Sequence, residues 1–334
     1  MSYIVDIQNL EIGYFKSGEG GIPLLPPLNL SLNSGSLVGL IGANGSGKST
    51  LLRTLSGLAS PLSGNIFIQG KNARDLTLDQ KAKSISVVLT DTVSDPYLRV
   101  VDVVSMGRYP YTGFLGRLSP ADKQQINMGM EVAGVSALRH RPITQLSDGE
   151  RQKVMIAKAI AQDTPIILLD EPAAFLDYPS KIDLMSLLVR LAHHEKKTIL
   201  LSSHDLELVL KSADRIWLLG KGMQAVEGMP EKLVLSGLIG SYFNNTQLFE
   251  EPDDLDLVQW NSDKQVIFVA GSGSRAKWLK HALVRLGWRL GKSNEHAQII
   301  YVKEIHYEYV KSDKLIIQTA DIEDLLQALG AENC

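Results

Sequence analysis

The stretch Gly42-Ala43-Asn44-Gly45-Ser46-Gly47-Lys48-Ser49-Thr50 has residue types suited to holding phosphate. The apolar run Leu37-Val38-Gly39-Leu40-Ile41 before it reads as a buried strand, and Leu51-Leu52-Arg53-Thr54-Leu55 after it reads as the start of a helix. A strand, a glycine-rich turn and a helix N-terminus together make an anion site. The glycines let the backbone wrap a phosphate without Cβ clashes, so that successive N–H groups can point inward. The amino group of Lys48 can reach the β- and γ-phosphates as a point charge. The hydroxyl of Ser49 can take one position on Mg²⁺, a hard cation that accepts oxygen ligands.

Three other stretches carry groups that could act on such a ligand. Ile166-Ile167-Leu168-Leu169-Asp170-Glu171 is an apolar run that ends in two carboxylates and is closed by Pro172. Thr198-Ile199-Leu200-Leu201-Ser202-Ser203 is a second such run, ending in His204-Asp205. Acidic residues at the C-terminal end of a buried strand sit where open α/β sheets bind ligands. Leu146-Ser147-Asp148-Gly149-Glu150-Arg151-Gln152 leads into a helical run, Lys153 to Gln162. Ser147 suits an N-cap, and Asp148 and Glu150 favour a first helical turn. That stretch reads either as a cap alone or as a second phosphate-facing helix N-terminus. Tyr14 precedes the glycine-rich segment Lys16-Ser17-Gly18-Glu19-Gly20-Gly21, and its ring is either packing or an adenine platform.

Positioning these groups requires a covered sheet. Continuous apolar runs such as Ile166 to Leu169 and Ile199 to Leu201 imply strands buried on both faces, as in α/β folds. Ile4 to Tyr14 and Leu28 to Leu32 alternate instead, as half-buried antiparallel strands do. Gly64 to Gly70 and Ile85 to Leu89 read as further strands. Asp102 to Leu138 is helical in pattern, interrupted by the aromatic, glycine-rich insert Gly107 to Gly116, whose proline and glycines exclude a continuous helix.

Composition narrows the class. A chain of 334 residues allows one large domain and a smaller one. A formal charge of -3 gives no electrostatic reason to expect nucleic acid as the partner. The single cysteine, Cys334, excludes an internal disulfide framework and fits a reducing compartment. The first residues lack a basic region and a long apolar run, so no signal peptide is expected. No apolar run approaches the roughly 18–20 residues of a membrane span.

Taken together, residues 4–235 resemble the nucleotide-binding subunit of ABC transporters. Gly42 to Ser49 is similar to the Walker A motif, Leu146 to Gln152 to the signature motif, and Ile166 to Glu171 to Walker B with its catalytic glutamate. Ala174-Phe175-Leu176-Asp177 resembles the D-loop, His204 the switch histidine and Tyr14 the adenine-stacking aromatic. The order and spacing of all six match. Gly107-Arg108-Tyr109-Pro110-Tyr111, Gly116-Arg117 and Ala121-Asp122 are similar to importers of iron–siderophore, haem and cobalamin complexes, as are His204-Asp205-Leu206 and Ala213-Asp214-Arg215. The resemblance implies a P-loop NTPase cassette at 1–245, with a mixed-sheet core, an antiparallel β subdomain and a helical subdomain.

The resemblance also implies roles and partners. ATP is bound by Tyr14, the loop from Gly42 through Thr50, Ser147, Gly149, Glu150 and Asp177. Ser49 and Asp170 hold Mg²⁺, Glu171 orients or deprotonates the attacking water, and Lys48 and His204 contact the transferred phosphate. Two copies would close head to tail over two ATPs, on the cytoplasmic face of the plasma membrane. They would be bound there to a separate permease that a substrate-binding protein loads. A soluble ABC-type ATPase not coupled to transport, or a cassette regulated by a ligand, are the alternatives. The chain departs from the family pattern twice. Thr90 or Asp91 stands where a glutamine is usual, so Asp91 becomes a candidate Mg²⁺ ligand. Asp148 stands where glycine is usual, and a carboxylate near a phosphate is repulsive unless it points away and caps its helix.

Beyond the cassette, Glu250-Glu251-Pro252-Asp253-Asp254 lies in an acidic linker at 246–262, followed by a small α+β module at 263–334. Its expected strands are 265–270, 298–302, 307–310 and 315–318, and its helices 274–286 and 321–329, the last capped by Asp321. Gly271-Ser272-Gly273-Ser274-Arg275-Ala276 nominally fits G-x-G-x-x-A, but the module is too short for a dinucleotide fold, and a tight strand–helix turn is expected. The module carries none of the six motifs, which leaves regulation, added dimer contact or a structural appendage as its role.

Overall fold

Mainly apolar runs build the central sheet. In the computed structural model, which describes residues 3–16, 20–89, 95–113, 116–243, 266–292 and 298–331, five adjacent strands of a six-stranded sheet run parallel. Their order is Arg215–Leu219, Leu37–Gly42, Thr198–Ser202, Ile166–Leu169, Ile85–Val88. The three middle strands are buried at every position, as expected of strands covered on both faces. Pairing of Leu40 with Ser202 and of Leu201 with Leu169 brings the C-terminal ends of these strands to one edge. Gly42, Asp170 and Ser203 therefore enter their loops side by side.

A second, antiparallel sheet orders Leu28–Leu32, Val5–Glu11, Ser63–Ile68 and Lys71–Asn72. The expected single run from Ile4 to Tyr14 is divided. A bulge between Ile7 and Leu10, with Asn9 at φ 48, shifts its register. Gly13–Lys16 then leaves to form a separate ribbon with Gly20–Pro23. Any Cβ at Gly13 would lie 2.0 Å from the Ile22 carbonyl oxygen, so only glycine permits that pairing.

The helical subdomain comprises Val100–Ser105, Pro120–Val132 and Asp148–Ala161. The aromatic insert begins as a 3₁₀ turn, Met106–Tyr111. Gly107 packs against the Lys158 carbonyl, which a Cβ would approach to 2.3 Å. Arg108 is buried, donates to Asp122 at 2.9 Å and to the Ala161 carbonyl at 2.7 Å, and carries the Tyr111 ring 3.9 Å from its guanidinium. Asp122 is held below the usual carboxylate range, first by its hydrogen bond from Ser119 and also by Arg108. The two tyrosines of the insert thus differ. Tyr109 is 64% exposed, whereas Tyr111 covers a buried cation. We expect Tyr111→Ala to cost about 0.5–2 kcal/mol and Tyr109→Ala less than about 0.5 kcal/mol. Thermal unfolding of the two variants checks this.

The described chain divides into two units, Met1–Val209 with Ala213–Glu227, and Leu210–Ser212 with Gly228–Cys334. The second contains a five-stranded sheet in the order Arg289–Leu290, Val266–Ala270, Gln298–Val302, Tyr307–Lys311, Lys314–Thr319. Its core joins Ile267, Leu279, Leu283 and Ile300 to Leu325 and Leu329 of the helix Ile322–Ala331. The Asp321 carboxylate accepts from the Glu323 N–H at 2.8 Å at the start of that helix. Gly271 takes φ 142, and a Cβ there would meet Val302 at 2.8 Å, so the glycines make a tight strand–helix turn. The helices Pro230–Leu235 and Leu238–Phe243, which the sequence alone places with the first region, group with this second unit. Glu231 explains why. Fully buried, it accepts from Arg285 at 3.1 and 2.9 Å and lies 3.0 Å from Nδ1 of His281. The acidic linker at 246–262 lies outside the described residues. Among the described residues, no helix is long and apolar enough to cross a membrane.

Candidate nucleotide site

The glycine-rich loop holds the backbone conformations its residues predict. Gly45 and Gly47 take φ 76 and 91, in the left-handed region. A Cβ at Gly42 would lie 2.4 Å from the Leu219 carbonyl and 2.5 Å from Ser46 Oγ. Lys48 opens the helix Lys48–Leu55 and folds back, its Nζ donating to the carbonyls of Gly42 at 2.8 Å and Ala43 at 3.3 Å. Burial lowers its pKa, against the opposing pull of Glu171 and Asp170. An amino group held this way is a partly desolvated cation, which attracts an entering anion more strongly than one in water.

The two strand-end carboxylates have different surroundings. Asp170 is buried and accepts from Ser49 Oγ at 3.1 Å and Ser202 Oγ at 2.7 Å. Ser202 also accepts from the Glu171 N–H at 2.9 Å, tying two neighbouring strands together below the loop. Glu171 takes φ 49, uncommon for a residue with a Cβ, and its carboxylate contacts Nε2 of His204 directly. Strain of this kind persists where its surroundings enforce it. Ser202 is the residue that motif reading misses. It is the last apolar-strand position before His204, and only its register against Leu40 reveals the tether.

A depression of about 220 Å³ is lined by Asn44 through Thr50 together with Tyr14, Leu24, Glu171 and His204. The structure therefore gathers Tyr14, the loop, Glu171 and His204, with Asp170 reached through Ser49. Tyr14 is 61% exposed, so its ring is free to receive a flat ligand. Ser147, Gly149, Glu150 and Asp177 do not line this depression. Asp177 caps the helix Tyr178–His193, accepting from the Ser180 N–H at 3.0 Å. The Ser180 hydroxyl, together with that bond, holds its pKa below the usual carboxylate range. Thr90 and Asp91, the candidates for the glutamine position, lie outside the described residues.

At the signature stretch the Asp148 carboxylate does not cap the helix Asp148–Ala161, and the expected Ser147 cap is present. Its hydroxyl accepts from the Glu150 N–H at 3.2 Å, and its own N–H donates to Glu150 at 2.9 Å. This reciprocal box leaves Asp148 free to turn aside. Its carboxylate pairs with Arg151 at 3.1 Å, and the same guanidinium donates to the Leu146 carbonyl at 3.3 Å. Glu150 is held below the usual carboxylate range by the Ser147 N–H, with Arg141 3.6 Å away. Each acid at this helix start thus faces an arginine. Ser147→Ala should cost about 0.5–2 kcal/mol as a lost cap, and Asp148→Ala only the 0.2–1 kcal/mol, roughly, of an exposed ion pair. Urea unfolding of both variants tests that order.

The donors fit Mg²⁺ bound with a nucleotide. Ser49 and Asp170 offer hard oxygens at one point. Among the described residues no cluster of three or more His, Cys, Asp or Glu could hold a metal alone. Mg²⁺ is characteristically held by one or two protein oxygens plus phosphate and water.

Residues 25–174 match the family model described as ABC transporter, and residues 263–330 match that of the iron ABC transporter C-terminal domain. An ABC transporter ATP-binding protein of Methanocaldococcus jannaschii is 34% identical over 82% of this chain and 94% of its own. The iron(3+)-hydroxamate import ATP-binding protein of Bacillus subtilis is 33% identical over 71% of this chain and 86% of its own. Among solved structures, a dimeric ATP-binding cassette in a post-hydrolysis state with ADP and phosphate is 28% identical. It covers 68% of this chain and 98% of its own, with a TM-score of 0.59. The phosphate loop, the paired strand-end carboxylates and these relatives agree: this chain belongs to the ATP-binding, ATP-hydrolysing subunits of ABC transporters.

Proposed function

We propose that this protein powers import of an iron chelate through a separate membrane permease, by closing two copies of itself over two ATPs. The observation that carries the reading is the division of the site. Lys48, Ser49, Glu171 and His204 line one depression, with Asp170 bonded to Ser49 behind it, while Ser147, Gly149, Glu150 and Asp177 lie on other elements. A second copy, related by a two-fold axis, can supply the missing wall to each site. The iron C-terminal model and the hydroxamate-import relative support iron as the cargo's metal.

The residues have separable tasks. Loop N–H groups and Lys48 bind and orient the phosphates. Glu171, braced by Ser202 through its N–H and by His204 at its carboxylate, orients the attacking water and takes its proton. Ser49 and Asp170 would hold Mg²⁺, which when bound screens the phosphate charge. Ser147 and Gly149 of the second copy cover the γ-phosphate and exclude bulk water. Tyr14 stacks on the base. The permease docks at a groove of about 470 Å³ lined by residues in the ranges 56–58, 78–89 and 155–162. Tyr109 and Tyr111 are not among its lining residues.

Uptake of radioactive iron supplied as a hydroxamate or catecholate chelate tests the cargo. Cells lacking this protein should lose uptake of at least one chelate and keep uptake of cobalamin. Loss of cobalamin uptake alone would overturn the iron reading.

A further inference from the structure

The permease groove contains an electrostatic mismatch. Its walls are apolar: Leu58 and Leu78 are 64% and 82% exposed, and Val87, Leu89 and Met155 continue the surface inward. The charged residues of its lining are Lys81 and Lys158, and no carboxylate is among them. Other lysines on the same helices are paired, Lys83 with Asp79 at 2.8 Å and Lys153 with Asp183 at 3.4 Å. Among the described residues, the Lys158 amino group has no ion pair or hydrogen bond. Burial alone lowers its pKa, which records the cost of a cation half removed from water. The backbone around it is fixed, since Gln162 donates to the carbonyls of Ala82 at 2.7 Å and Ile85 at 3.1 Å.

We infer that the groove receives a permease helix whose apolar face carries one carboxylate, and that Lys158 pairs with it. This rests on the reading that the protein works with a permease. Two exposed leucines from different elements suit the apolar anchors of a helix laid in a groove. When that helix covers the groove, Lys158 loses its remaining water. An uncompensated cation there is costly, and a carboxylate opposite it turns the cost into attraction. The pair also fixes helix register, because a carboxylate shifted by one turn leaves Lys158 unpaired. A neutral or basic residue at the same place leaves Lys158 uncompensated, so Lys158 discriminates between permeases.

The test titrates detergent-solubilised permease, the one that copurifies with the parent chain, against full-length labelled protein. Lys158→Glu should weaken binding about 30-fold or more. Lys158→Met keeps the apolar stem and should also weaken it, with unfolding and ATP hydrolysis of the isolated protein unchanged. Carboxylates on cytoplasmic helices of the permease are then changed to lysine one at a time, and one of these should restore binding to Lys158→Glu. Parent-like binding by Lys158→Glu, or the absence of any restoring change, would overturn the inference. If the parent copurifies with no membrane protein at all, the transport reading itself fails, and the inference with it.

Discussion

Glu171→Gln should lower ATP turnover by about 10²–10⁴-fold while leaving ATP affinity within a few-fold of the parent. General-base assistance has that magnitude, and the substitution removes it alone. The amide keeps the shape of the carboxylate and can still meet His204, and the Ser202 bond to the residue 171 N–H is untouched. Lys48, Ser49 and the loop glycines, to which we assign phosphate binding, are likewise unchanged. Steady-state phosphate release and binding of a fluorescent ATP analogue separate the two quantities. Turnover within about threefold of the parent would remove Glu171 from the chemistry.

The second large effect is in the C-terminal unit. Arg285→Met should destabilise that unit by about 3–5 kcal/mol, the usual result of removing one partner of a buried ion pair. Burial by itself would raise the Glu231 pKa. The Arg285 charge and the His281 hydrogen bond outweigh it and bring it down to about 2. A folded-state value below the ordinary 4.5 means the group stabilises the fold above that pH, and loses this contribution as pH falls toward 2. The gap between parent and Arg285→Met should therefore be full at neutral pH and narrow below about pH 4, where acid neutralises the stranded carboxylate. Hydrogen exchange of the helices Pro230–Leu235 and Ser274–Arg285 across that range reads it. A gap that is small at neutral pH, or that widens in acid, would contradict the role given to Glu231. A truncation near Pro252 strands Glu231 in the same way, so the cut that spares the cassette falls before Gly228.

The elements legible beforehand are those whose signal is local. Uninterrupted apolar runs announce the parallel strands, and glycine spacing announces the phosphate loop, because both depend on a residue and its neighbours in sequence. The contacts of Ser202, Arg108 and Arg151 are silent in the same reading. Ser202 matters because two strands align, and Arg108 because Asp122 and the Ala161 carbonyl converge on it from other helices. Arg151 corrects the expectation for Asp148. A cap and an ion pair were equally available to that carboxylate, and the Ser147–Glu150 box took the cap. Glu231 shows the same limit for boundaries. In sequence it lies far from His281 and Arg285, and only the fold reveals that a helix preceding the linker belongs with the tail.

The central claim is that each nucleotide is enclosed by two copies, and sedimentation velocity on Glu171→Gln tests it most directly. With Mg²⁺ and ATP the variant should sediment as a dimer, and without nucleotide as a monomer. Adding Ser147→Arg to the same chain should return it to monomer while each copy still binds ATP. A Glu171→Gln protein that binds ATP and remains monomeric, or a dimer indifferent to Ser147→Arg, would contradict the account.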